Sequence, residues 1–174
     1  MDQHKTAIRN GLIWGGISIT TTLLLYLLGM MENVAAGILL FLLGIYIMYR
    51  SGTDKRTELG GYISWKEALT PTWLTAVIAS LITSVFTWIL FRFIDPSLQE
   101  KQKEQAIKMI EKMRSWMGDA ETEKQLEELE NKDFASFTVY IQYFIIAILL
   151  YFVIACILSL ILKRKKQEDI FSKY

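Results

Sequence analysis

The chain has 174 residues, 52% hydrophobic and 21% charged, and nineteen Lys and Arg against eighteen Asp and Glu leave a net charge of +1. That near-neutral balance does not suggest a nucleic-acid binder, which would show a basic face. A single cysteine, Cys156, excludes an internal disulfide or a Cys-rich metal centre, and a single histidine, His4, excludes an HExxH zinc site.

Four uncharged apolar runs organise the chain, at 11–29, 34–49, 72–91 and 138–162. A bilayer-crossing helix needs about 20 mostly apolar residues. A soluble core helix keeps a polar face, which these runs lack. None shows the period-2 alternation of a barrel strand. The predicted fold is all-α: an integral membrane bundle of four transmembrane helices at about 11–29, 34–49, 72–94 and 138–162. We read 1–174 as a single membrane domain.

The first run follows Lys5 and Arg9, as a signal peptide would. It exceeds the roughly 7–15 residues of a signal h-region, contains Trp14, and leads into Met30-Met31-Glu32-Asn33 without a small-x-small site. An uncleaved helix is the expectation. Gly11 and Gly15 give it a GxxxG spacing for close packing. The second run is short, but Met30 and Met31 extend apolar character ahead of it.

Residues 50–66 read as a turn-rich cytoplasmic loop, with Gly52, Gly60 and Gly61 among Ser51, Thr53 and Asp54. At its end Ser64 and Glu67 have capping-box spacing, so a helix starts there. A catalytic or ion-binding role for Glu67 is the competing reading. Pro71 inside this helix predicts a kink near Thr70. Along the third span Ala76, Ser80 and Ser84 recur every four residues beside Ala79, Thr83 and Thr87. The stripe Ala76, Ser80, Thr83, Ser84 and Thr87 serves helix packing or lines a polar groove.

Residues 95–137 form an outer helical segment. Asp95 before Pro96 matches a helix cap followed by a first-turn proline. Ala106, Met109, Ile110, Met113, Trp116 and Met117 then recur in steps of three and four on one face. Gly118 suits the helix end, and Asp119 caps a second helix to about Asn131. A helical hairpin follows, with Met109, Ile110, Met113, Trp116 and Met117 as a candidate partner-binding face. Its competing role is to cover the bundle.

The positive charges set orientation. The amino-terminal tail, the 50–66 loop and the carboxy-terminal tail (Lys163, Arg164, Lys165, Lys166, Lys173) hold eleven basic residues. Both termini are therefore predicted in the cytoplasm and 95–137 outside, although that segment itself carries seven basic residues beside eleven acids. Tyr46, Tyr49, Trp65 and Trp73 mark the inner boundary. Tyr26, Trp88, Tyr140 and Tyr143 mark the outer one.

No Asp, Glu, Lys, Arg or His lies in the central part of a span, which argues against a proton relay or ion-coupled carrier. No Walker loop, GxGxxG, GxSxG or CxxC occurs. We expect no enzyme activity, cofactor or metal. Expected partners are the lipid bilayer and a membrane-protein partner or a second copy of the chain, with no nucleic acid. The leading function is a non-catalytic accessory or scaffold subunit. The alternatives are a passive transporter or channel component acting as an oligomer, and a membrane enzyme acting on lipid.

Three motifs carry a resemblance: Arg9-Asn10-Gly11-Leu12 opening the first span, Gly61-Tyr62-Ile63-Ser64-Trp65-Lys66-Glu67-Ala68 before the third, and Ile94-Asp95-Pro96 after it, followed by a Met-containing charged helix. Together they resemble a bacterial, Bacteroidota-type membrane family known as domain of unknown function 4199, over about residues 5–166. The resemblance implies a four-span protein of the bacterial inner membrane. It implies no activity.

Overall fold

The computed structural model describes residues 4–130 and 132–164. Lys165, Lys166, Lys173 and Asn131 lie outside the described residues. Among the described residues four helices are long and apolar enough to cross a membrane: α1 (Lys5–Leu27), α2 (Val34–Glu58), α3 (Trp65–Ile89) and α7 (Phe137–Leu162). A π-helical turn, Leu90–Ile94, prolongs α3. Between the third and fourth spans lie α4 (Leu98–Lys112), the single turn α5 (Arg114–Met117) and α6 (Asp119–Glu130), which make a helical hairpin. The protein is an all-α, four-span membrane protein. On α7, Ile146, Leu149, Val153, Leu160 and Ile161 are exposed, an apolar wall that only lipid or protein can cover. The backbone divides into two compact units: the described parts of Met1–Thr83 with Ile145–Tyr174, and Ser84–Phe144.

In the first unit all four spans contribute to one core of Trp14, Ile47, Met48, Ala76, Ala79 and Ala155. Small residues set its close approaches. A Cβ on Gly11 would lie 2.8 Å from Ile78, and one on Gly15 would lie 3.1 Å from Ile82. The GxxxG face of α1 therefore packs against two residues one turn apart on α3. Gly44 of α2 admits the Trp14 ring where a Cβ would collide with it. Trp14 in turn meets Tyr151 of α7 edge-on at 5.2 Å.

Two indoles fix α3 against α7. Trp65 donates to the Cys156 carbonyl (3.3 Å) and Trp73 to the Ile148 carbonyl (3.2 Å). The second bond lies eight residues on along α3 and eight back along α7, the register of antiparallel neighbours. Pro71, where a kink was predicted, lies inside α3, which continues through it to Ile89.

One difference from the sequence reading concerns residues 50–66. Helix α2 runs on to Glu58, so only the segment from Leu59 to Ser64 is non-helical. The turn-forming residues are used as helix residues here. Thr53 bonds back to the Tyr49 carbonyl at 3.0 Å, and Thr57 to the Thr53 carbonyl at 3.1 Å. Gly52 is needed because a Cβ would strike Leu162 and Thr72. Gly60 and Gly61, with φ of 79° and 93°, then make the turn, in a region that side chains disfavour. Ile63 and Arg164 pair as an isolated antiparallel bridge, with N–H···O distances of 3.0 and 2.9 Å.

In the second unit the π-helical turn closes with Asp95 N–H donating to the Leu90 carbonyl at 2.8 Å. Gln99 donates to the Phe91 carbonyl at 3.3 Å. Leu98, Leu129, Phe134 and Ala135 are buried. The helix predicted to run unbroken to Met117 is interrupted at Met113, whose N–H approaches both the Met109 and Ile110 carbonyls. The corner is held by Gly118 (φ 82°), by an Arg114–Asp119 ion pair at 3.0 Å, and by Thr122, whose hydroxyl donates to the Gly118 carbonyl at 2.7 Å.

Candidate functional site

The hairpin presents the apolar face suggested by its sequence period. Trp116 is 92% exposed, Met109 67% and Met113 45%. Ile110 and Met117 are half-buried. Lys103 braces the hairpin without them, donating to the Glu130 carbonyl at 3.1 Å, and within α4 Glu104 and Lys108 pair at 2.7 Å. The Lys108 ammonium donates a hydrogen bond to Glu104 and, by its charge, further holds that carboxyl below its usual range.

The same unit holds buried polar atoms without a hydrogen-bond partner among the described residues: Trp88 Nε1, Gln102 Oε1 and Tyr140 OH. Trp88 stacks edge-on with Phe93 and Phe137, both at 5.4 Å, and Tyr140 packs with Phe91 and Tyr143. From the sequence, Trp88 and Tyr140 were belt aromatics. Nothing in their spacing signalled that their polar ends would be buried without a partner.

The stripe on α3 is divided between the two units. Ala76 is fully buried in the first unit's core, and Ser80 and Thr83 are half-buried in that unit. Ser84 and Thr87 are half-buried in the second. The buried hydroxyl cluster lies elsewhere on α3. Thr75 Oγ1 is 2.8 Å from both Ser51 Oγ and the Pro71 carbonyl, and Ser51 Oγ is 3.2 Å from that carbonyl.

The polar end of the first unit was missed by sequence reasoning. Arg9 and Asp54 form an ion pair at 2.8 Å, and Asn10 donates to the same carboxylate at 3.3 Å. Thr6 donates to Glu58, which also pairs with Lys55 at 3.0 Å. Had α2 been continued past Tyr49, Ser51, Asp54 and Glu58 would have fallen on one face with Ile47 at helical spacing. Beside this network lies an open cleft of about 330 Å³ lined by His4, Lys55, Leu59, Glu67, Thr70 and Pro71. Ser64 and Glu67 cap each other across its rim: Ser64 N–H donates to Glu67 at 2.8 Å, and Glu67 N–H to Ser64 Oγ at 3.3 Å. Asp95 accepts from Ser97 N–H at 3.0 Å and from its hydroxyl at 2.6 Å, holding the turn into α4. Among the described residues no group of three or more His, Cys, Asp or Glu is arranged to hold a metal ion.

A family profile described as a protein of unknown function (DUF4199) matches residues 9–164. The chain belongs to the DUF4199 family. No curated protein and no solved structure matches it.

The DUF4199 match begins at Arg9, the partner of Asp54, and ends at Arg164, the partner of Ile63. It therefore takes in both compact units, the hairpin and all but the first turn of α1.

Proposed function

We propose that this DUF4199 protein is a non-catalytic accessory or scaffold subunit of the bacterial inner membrane, which docks a membrane-protein partner through its hairpin. Both termini face the cytoplasm and the hairpin faces outward in this reading, as the short basic flanks favour. The observation that carries it is Trp116, 92% exposed beside Met109 and Met113. Tryptophan is the residue type most enriched among binding hot spots, and methionine adapts to a partner's contour.

Site-specific photo-crosslinking from Met113 and Trp116 in native membranes, followed by mass spectrometry, tests the reading. Adducts to one different membrane protein are expected from both positions. Adducts only to a second copy of the chain would replace the accessory role with self-assembly. Adducts only to lipid would make the hairpin a cover on the bilayer and end the docking proposal.

A further inference from the structure

We infer that the cleft beside the Arg9–Asp54 network binds the headgroup of a zwitterionic phospholipid whose amine carries hydrogens, the phosphoethanolamine group. The cleft offers opposite charges on its walls, Lys55 and Glu67, with His4 and Thr70 beside them and Leu59 and Pro71 as apolar surface. Its volume of about 330 Å³ lies at the small end of ligand sites.

Depth is the second argument. Pro71 and Thr70 adjoin the apolar run that starts at residue 72, whereas Glu67 and Lys55 lie about 8–9 Å beyond their runs at a helical rise of about 1.5 Å per residue. The headgroup layer occupies about 5–7 Å on each side of the hydrocarbon. Pro71 thus sits at its inner edge and the charges just past its outer edge, so the cleft opens beside the headgroups of the bilayer.

The charged groups are positioned with capacity left over. Lys55 gives one of its three N–H donors to Glu58, which Thr6 steadies. The rest are available to a phosphate, with His4 alongside. Glu67 is held by its cap bond to Ser64 N–H, and a carboxylate offers about four acceptor positions. Its negative charge rejects an anionic headgroup and suits an ammonium. That opposition of signs distinguishes the cleft from the general attraction of basic flanks for anionic lipid.

Native mass spectrometry of the full chain, released from nanodiscs containing equal phosphatidylethanolamine and phosphatidylglycerol, tests the assignment. Phosphatidylethanolamine should be retained about two- to fivefold over phosphatidylglycerol, the range of an exposed ion pair. Glu67→Gln keeps an oxygen for the Ser64 cap and removes the charge, so it should abolish the preference without altering the fold. Lys55→Gln should lower retention of both lipids. Soluble O-phosphoethanolamine should compete only weakly, because it lacks the acyl chains that Pro71 would meet at the hydrocarbon edge. Equal retention of the two lipids, or a preference unchanged in Glu67→Gln, would overturn the inference. Competition by the soluble ester as strong as by the lipid would reassign the cleft to a soluble phosphate ester.

Discussion

In the first unit Ser51, Thr72, Thr75 and Ser159 are fully buried, and each hydroxyl has an acceptor: Thr72 the Ala68 carbonyl at 2.7 Å, Ser159 the Ala155 carbonyl at 2.6 Å, and Ser51 and Thr75 the Pro71 carbonyl. In the second, Tyr140 is 6% exposed, and its hydroxyl and the Trp88 N–H find no partner among the described residues. The apolar surfaces differ in the same sense. Trp14 of the first unit is sealed by Gly44 and Tyr151, while Trp116 of the second stands almost wholly exposed. A buried polar atom without a partner costs about 1–3 kcal/mol. A unit that carries such atoms and also an exposed tryptophan is incomplete in a way that the first unit is not. The first unit holds the spans together, and the second presents the exposed ring that an outside contact would cover.

The largest expected effect tests the completeness of the first unit. Gly44→Ala places a methyl against the Trp14 ring, which is confined in the core. Overpacking of this kind costs about 1–3 kcal/mol. Gly16→Ala, on α1 but with open space around the added carbon, should be neutral or slightly stabilising. Thermal unfolding of the purified variants, followed by tryptophan fluorescence, separates them. Equal effects would mean that the Gly44–Trp14 contact is not what holds α1 to α2.

The next effects should have opposite signs in the two units. Thr75→Val removes a buried hydroxyl that has partners and should destabilise by about 1 kcal/mol. Tyr140→Phe removes one that lacks any and should stabilise the isolated protein by about 1 kcal/mol or more. If the hydroxyl gains a bond on rearrangement in an assembled complex, the gain should vanish there. Parallel unfolding measurements on purified protein and native membranes would show this. Destabilisation by Tyr140→Phe in both settings would dissolve the contrast between the units.

Much of this was legible in the sequence because lipid leaves helices few alternatives. Four uncharged runs gave the spans, and Gly118 with Asp119 gave the hairpin corner. The Ser64–Glu67 spacing corresponds to bonds in both directions. The end of α2 was harder to read, since Ser51, Gly52, Thr53 and Asp54 are turn formers by propensity. Their helical state depends on contacts with Arg9, Leu162 and Pro71, which are distant in sequence. The cleft has the same origin, with lining drawn from three separate segments. The Trp88 and Tyr140 atoms were illegible because a belt aromatic and a buried unpartnered one have the same sequence signature.

A smaller stability effect belongs to the hairpin face. Trp116→Ala should change the unfolding midpoint by less than the core substitutions, within about 0.5 kcal/mol, because the ring is 92% exposed. It should nevertheless abolish the partner adduct formed from Met113. A stability loss comparable to that of Gly44→Ala would show that Trp116 packs within its own chain, and the hairpin would lose its claim as a docking face.

The smallest expected effect is a titration on α4. Lys108 bonds to Glu104 one turn away and lowers the pKa of that carboxyl. A carboxyl depressed in the folded state contributes stability above its unfolded pKa, and that contribution fades as pH falls through the folded value. Lys108→Ala should therefore raise the Glu104 pKa toward 4.5, the value of the free side chain. Carboxyl-carbon NMR of the labelled protein would read the shift directly. Because both side chains are exposed, the unfolding midpoint should hardly move. An unshifted Glu104 would mean that solvent screens the pair. A large change in midpoint would mean that α4 depends on this pair rather than on Leu98, Leu129 and the Lys103 bond to α6, and the hairpin would be weaker than its buried residues imply.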